Sequence, residues 1–166
     1  MKSLQPSSRC CFVCGVENPF GLHLKFYNSE PGEVTAEYTL SENYQGYPGV
    51  AHGGVVAAML DEAAGRSLMG AADAPRFMFT ARLNVTYRKT VPVGQPIRLV
   101  GKALESRARS ARAASAIYDL AGNKLAEAEA LLINVPEQMM EAGSKAKRVS
   151  SAVDLARLGW QVYPEE

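Results

Sequence analysis

The residues of this chain best placed to do chemistry sit in one apolar stretch, HGGVVAAMLDEAAG, from His52 to Gly65. His52 and the pair Gly53-Gly54 open a helical run, and Asp61 with Glu62 interrupts that run two turns later. Glycines at a helix start leave backbone N–H groups bare, so a polarised or anionic oxygen can approach them. An acid inside an otherwise apolar helix is costly unless something uses it. Together they suggest an electrophile-binding end with a carboxylate nearby.

Helical geometry separates the two acids. At about 100° per residue, Asp61 shares a face with Gly54, Ala57, Ala58, Ala64, Gly65 and Leu68. Another chain or a ligand can come close to the backbone along that stripe of small residues. Glu62 points elsewhere and precedes Arg66 by four residues, the favoured order for a solvated helix ion pair. Glu62 therefore reads as surface and Asp61 as the working acid. The alternative is that the stripe only lets the helix pack closely, with Asp61 at a wet edge.

The elements that must position these residues follow from alternation and turn signals. Residues 1–21 read as an irregular N-terminal segment, with a turn at Asn18-Pro19-Phe20-Gly21. Leu22, Leu24 and Phe26 alternate with His23, Lys25 and Tyr27 as a strand, which Ser29–Gly32 turn into a partner over 33–40. Residues 41–51 read as a loop, about 53–69 as the helix, and 70–76 as a second loop. Strands are expected over Phe77–Lys89, Pro96–Ser106, Ser110–Asp119 and Leu125–Val135, with a turn at Ala121-Gly122-Asn123. The alanine-rich stretch 108–116 favours helix by propensity, but its flanking turns stand at hairpin spacing, so it reads as strand. Residues 22–136 make the domain, and 137–166 a tail, possibly helical, with an amphipathic piece from Ser151 to Trp160. One apolar helix beside an antiparallel sheet implies an α+β arrangement in which the sheet wraps the helix. A symmetric dimer would cover the apolar surface and open sheet edge that a single layer leaves.

Length and composition narrow the classes. The 166 residues carry a net charge of +1, so no global field favours nucleic acid or an anionic membrane. No apolar run reaches transmembrane length and the polar start has no signal-peptide core, which points to the cytoplasm. The three cysteines, Cys10, Cys11 and Cys14, crowd near the N-terminus. Cys11 and Cys14 have CxxC spacing, and His23 with a fourth ligand from elsewhere would be needed for a structural zinc site. They read instead as reduced cysteines of a packed segment, with no metal expected. No GxSxG, P-loop or GxGxxG pattern is present.

Three motifs then carry a resemblance: CFVCGVENPFGLHLKF (11–26), GYPGVAHGGVVAAMLDEAAG (46–65) and TARLNVTYRKTVPVG (80–94). Over residues 10–135 the chain resembles a hotdog-fold thioesterase, and most closely the PaaI-like branch of the 4-hydroxybenzoyl-CoA thioesterase superfamily. The resemblance implies hydrolysis of an acyl-CoA thioester without a separate cofactor. It also implies a homodimer or dimer of dimers whose active sites lie between subunits. In those terms the Gly53 N–H would polarise the thioester carbonyl. Asp61 of the opposite subunit would be nucleophile or general base, and Thr80 would orient the water or the acid. His52 would shape the loop and the oxyanion site. Some members place an asparagine six residues before the motif histidine; here that position is Gly46, preceded by Gln45. Gln45 would substitute, or Gly53, beside Gly54, would hold the carbonyl alone.

Coenzyme A also needs cations for its phosphates. Tyr87-Arg88-Lys89 leaves one strand, and Arg107, Arg109 and Arg112 surround a hairpin turn; by resemblance these regions flank the nucleotide. Phe77, Met78, Phe79, Met59, Tyr44 and Tyr47 could line an acyl slot for an aryl or medium-chain group, or could be core. Two other readings stay open: a dehydratase or hydratase pairing His52 with Asp61, and a non-catalytic acyl-CoA binding module.

Overall fold

Alternating apolar residues along the C-terminal half produce long paired strands, and one helix fills the face they share. The computed structural model describes residues 3–70, 76–136 and 160–161. In chain order the elements are β1 (Ser3–Leu4), β2 (Ser7–Ser8), β3 (Tyr27–Glu30), β4 (Glu33–Thr39), a 3-10 turn (Glu42–Tyr44), β5 (Gln45–Tyr47), β6 (Val50–Ala51), α1 (Gly53–Ser67), β7 (Met78–Tyr87), β8 (Pro96–Ser106), β9 (Ser110–Asp119), β10 (Lys124–Asn134) and β11 (Trp160–Gln161). Seven strands form one antiparallel sheet in the order β1-β3-β4-β8-β9-β10-β7. Two small pairs, β2 with β11 and β5 with β6, stand apart from it.

The helix packs across β4, β8, β9, β10 and β7. Its Val56, Met59, Leu60 and Ala63 meet Val34, Ala36, Ile97, Leu99, Ile117 and Ala126 in the main core. Met59 and Leu60 are fully buried, and such side chains stabilise by about 1.5–3 kcal/mol each. Small residues set the closeness of this packing. A Cβ at Gly101 on β8 would stand 1.9 Å from the Ala63 carbonyl oxygen, so only glycine lets the helix lie against the sheet there. Ala64, Ala113, Ala130 and Leu132 make a second, smaller cluster toward the helix C-terminus. No described helix is long and apolar enough to cross a membrane.

The strand over 110–119 is as expected; β9 pairs with β8 and β10 along its whole length, which overrides alanine's helix propensity. Elsewhere the structure departs from the sequence reading. Leu22, Leu24 and Phe26 are buried as their alternation implies, but the ladder with β4 starts only at Tyr27. Their stretch bonds instead to the N-terminal segment, Leu22 N–H to Phe12 C=O and Leu24 N–H to Val13 C=O. That segment is not wholly irregular, because β1 joins the main sheet beside β3. The loop 41–51 contains the β5–β6 hairpin. The helix expected in the tail and most of the loop 70–76 lie outside the described residues; Trp160, at the end of the expected amphipathic piece, is in β11.

Candidate active site

His52 caps α1. Its backbone is extended (φ −62°, ψ 133°), and its ring Nδ1 accepts the Gly54 N–H at 3.0 Å. Its carbonyl accepts from Val55 at 2.9 Å and Val56 at 3.1 Å. The first-turn donors are thereby satisfied, except one. The Gly53 N–H has no acceptor among the described residues. Tyr87 holds the same residue from the other side, its hydroxyl donating to the Gly53 carbonyl at 2.7 Å. A cavity of about 390 Å³ opens here, lined by Gly53, Val56, Tyr87, Arg88 and Lys89 among others. A bare N–H at the positive end of a helix, facing a cavity, is suited to an oxygen that gains negative charge.

Asp61 lies two turns along the same helix, and β7 delivers Thr80 to it. The Thr80 hydroxyl donates to Asp61 Oδ1 at 2.6 Å, leaving Oδ2 free of any hydrogen bond among the described residues. Desolvation pushes the Asp61 carboxyl above the usual carboxylate range; the Thr80 hydrogen bond opposes this and the neighbouring charge of Glu62 reinforces it. Two hollows meet at this carboxylate. One, of about 220 Å³, includes Cys11, Arg76, Phe77, Met78 and Thr80 in its wall. The other, of about 350 Å³, runs between Ala57 and Ala58 of the helix and Ala81, Arg82 and Leu83 of β7. The small stripe expected beside Asp61 is therefore an open channel at positions 57 and 58, and core at Ala64.

The solvated ion pair expected of Glu62 and Arg66 is corrected. Glu62 and Arg66 form the expected pair at 2.8 Å, but Arg66 is only 2% exposed and Glu62 19%. The guanidinium lies over the Phe26 ring and donates to the Pro6 carbonyl, because the N-terminal segment covers the end of the helix. Gln45 turns into its own hairpin, its Oε1 accepting the Gly49 N–H at 3.3 Å, and Gly46 packs against His52. Arg88 pairs with Glu127, Arg107 with Glu105 and Arg112 with Glu129. Lys89 and Arg109 make no side-chain hydrogen bond or ion pair among the described residues, so these are the two uncommitted cations of the predicted phosphate set. Of the expected acyl-slot residues, Met59 is core, Tyr44 is tied to the Gly21 carbonyl at 2.6 Å, and Tyr47 is 79% exposed. Phe77 and Met78 do reach the hollow beside Asp61. His23 contacts the Asn18 carbonyl and is not beside the cysteines, whose acidic neighbour is Glu62.

Sequence reasoning missed Arg76. It forks onto Asn134, the Ser106 hydroxyl and the Arg107 carbonyl, clamping the β8–β9 hairpin to the rim of the Asp61 hollow. A lone arginine after a loop carries no spacing signal that would have found it.

Residues 48–126 match the family model of the thioesterase superfamily. Acyl-coenzyme A thioesterase THEM4 of Rattus norvegicus is 30% identical over 93 residues, 55% of this chain; the chain spans 39% of that relative's length. A solved thioesterase superfamily protein is 30% identical with a TM-score of 0.68, covering 75% of this chain and 63% of that one. The Streptococcus mutans protein smu.793, solved bound to acetyl CoA, shares the fold at 16% identity and a TM-score of 0.61, over 68% of this chain and 88% of its own.

Proposed function

We propose that this chain, whose residues 48–126 match the thioesterase superfamily model, is a hotdog-fold member of that superfamily and hydrolyses an acyl-CoA thioester to the free acid and coenzyme A. The observation that carries the reading is the pairing of two prepared groups. One is the Gly53 N–H, bare at a helix start; the other is the Asp61 carboxylate, desolvated and held by Thr80.

These groups cannot act on one carbonyl within a single chain. Eight residues of helix separate them by roughly 12 Å. A second copy resolves this. The ten-residue β7 is an edge strand of the sheet, largely exposed, with Phe79 at 43% and Tyr87 at 53%. A long, bare, partly apolar edge is a template for pairing. Pairing β7 with its symmetry mate brings Gly53 of one copy toward Asp61 of the other, as isologous association allows. The active unit is then a homodimer with two shared sites.

The chemistry follows from charge. The thioester carbonyl oxygen sits at the Gly53 N–H, which stabilises the negative charge that develops on attack. Asp61 takes a proton from water as the water oxygen bonds to the carbonyl carbon, or attacks that carbon itself to form an acyl-aspartate anhydride that water hydrolyses to the free acid after the thiolate has left. The C–S bond then breaks, and the thiolate of coenzyme A leaves and is protonated. Thr80 fixes one carboxylate oxygen so that the other faces the substrate. His52 caps the helix, since its Nδ1 is spent on Gly54. Of the expected phosphate set, Lys89 and Arg109 have no side-chain hydrogen bond or ion pair among the described residues and would meet the phosphates. Phe77 and Met78 beside Asp61 favour an aryl or medium-chain acyl group. Three free cysteines suit the reducing cytoplasm.

The test is thiol release from a panel of short, medium, long-chain and aryl acyl-CoAs, with wild type beside Asp61→Asn. Turnover on one class, falling at least about a hundredfold in the folded variant, supports the reading. Saturable acyl-CoA binding with no turnover in either protein would leave only a binding module.

A further inference from the structure

Outside the thioester chemistry, the N-terminal CxxC motif brings three donor atoms together beside the helix. The sulfurs of Cys11 and Cys14 and a carboxylate oxygen of Glu62 all lie within 4.8 Å of one another. We propose that these three residues form a binding site for a thiophilic divalent cation, zinc.

The local backbone is built as a metal-binding knuckle. The Val13 N–H points at Cys11 Sγ, 3.4 Å away, and the Gly15 N–H closes the turn onto the Cys11 carbonyl at 2.9 Å. A Cβ at Gly15 would stand 2.3 Å from that carbonyl oxygen, so the turn requires glycine after Cys14. The strand-like stretch 22–24 pins the loop through Phe12 and Val13. The two thiols are thus held on a rigid turn. Zinc bonds to sulfur and oxygen run about 2.0–2.3 Å, so a small contraction of the cluster brings three of the four ligands to bonding distance.

The surroundings match in charge and in support. Arg66 donates to Glu62 Oε1 at 2.8 Å, while Oε2 faces Cys11 at 3.8 Å. A ligating carboxylate held in this way by an outer partner is the usual arrangement around bound metals. Two thiolates and one carboxylate beside one guanidinium leave a charge of −2, which a divalent cation neutralises. Two sulfurs with one oxygen select zinc over magnesium or calcium. The fourth position opens on the 220 Å³ hollow that Cys11 and Glu62 share with Asp61, with room for water or another donor.

The test uses the full chain, stripped with chelator and titrated with zinc or cobalt(II) alone. One equivalent per chain is expected, and cobalt should give the thiolate-to-metal charge-transfer band of a sulfur-ligated site. Cys11→Ser or Cys14→Ser alone should weaken the band and the two together abolish it, and Glu62→Gln, which removes a proposed ligand, should weaken zinc binding. Alkylation of the unmutated protein reads the same question without a variant: zinc should slow modification of half-buried Cys11 relative to the metal-free protein and leave exposed Cys10 reactive. A cobalt spectrum without the thiolate band, or a rate of Cys11 alkylation that zinc leaves unchanged, overturns the proposal.

Discussion

Gly53→Pro isolates a single atom of the proposed mechanism. Gly53 is the first residue of α1, where proline is tolerated because its missing N–H has no intrahelical partner. His52 before it has φ −62° and ψ 133°, the conformation a following proline prefers. A Cβ at position 53 would stand 3.5 Å from the Tyr87 hydroxyl, ordinary contact distance. The helix should therefore remain, with a stability change within about 1 kcal/mol. What disappears is the bare N–H, and removing one such donor from an oxyanion site costs about 10²–10³ in kcat. The assay is thiol release on the best acyl-CoA, with circular dichroism and thermal melting to confirm the fold. Gly53→Ala keeps the N–H and should retain most of the activity. A folded proline variant with kcat close to that of the alanine variant would refute the assignment of this N–H.

Two further perturbations follow from the same geometry. Thr80→Val removes the hydrogen bond that holds the Asp61 pKa down, while the desolvation that raises it stays. The active form is the carboxylate, so the acidic limb of kcat/KM should move to higher pH, and neutral-pH activity should fall roughly ten- to hundredfold; an unmoved limb would show that Thr80 does not act through Asp61. Glu62→Ala leaves the Arg66 guanidinium, 2% exposed, without its carboxylate; a loss of about 3–5 kcal/mol is expected in denaturant melts, whereas a loss under about 1 kcal/mol would match the solvated pair that spacing alone suggests.

The long-period features of this fold were legible in the sequence, and the short-range crossings were not. The helix from Gly53 and the three strands of 96–134 carry enough alternation and turn chemistry to fix their type and near-exact bounds. Asp61 stood out because an acid on a stripe of alanines is costly, and its contact with Thr80 came from the resemblance, since no local rule links residues 61 and 80. Glu62 and Arg66 were misread because helical spacing cannot show that residues 3–8 fold back over the helix end. Gln45 and Arg76 depend on hairpin closure and on a clamp between distant strands, both tertiary outcomes. The approach of Glu62 to Cys11 and Cys14 is not legible in the sequence either, because Glu62 is 48 residues beyond Cys14 and on another element.

In the proposed dimer, Gly53 of one copy and Asp61 of the other serve the same carbonyl. The direct measurement mixes Asp61→Asn with Gly53→Pro, each inactive alone, under conditions that exchange subunits, and follows thiol release. Half the dimers would be mixed, each with one of its two sites intact, so activity should return to about a quarter of the wild-type rate. No recovery despite proven subunit exchange would contradict a site shared between subunits.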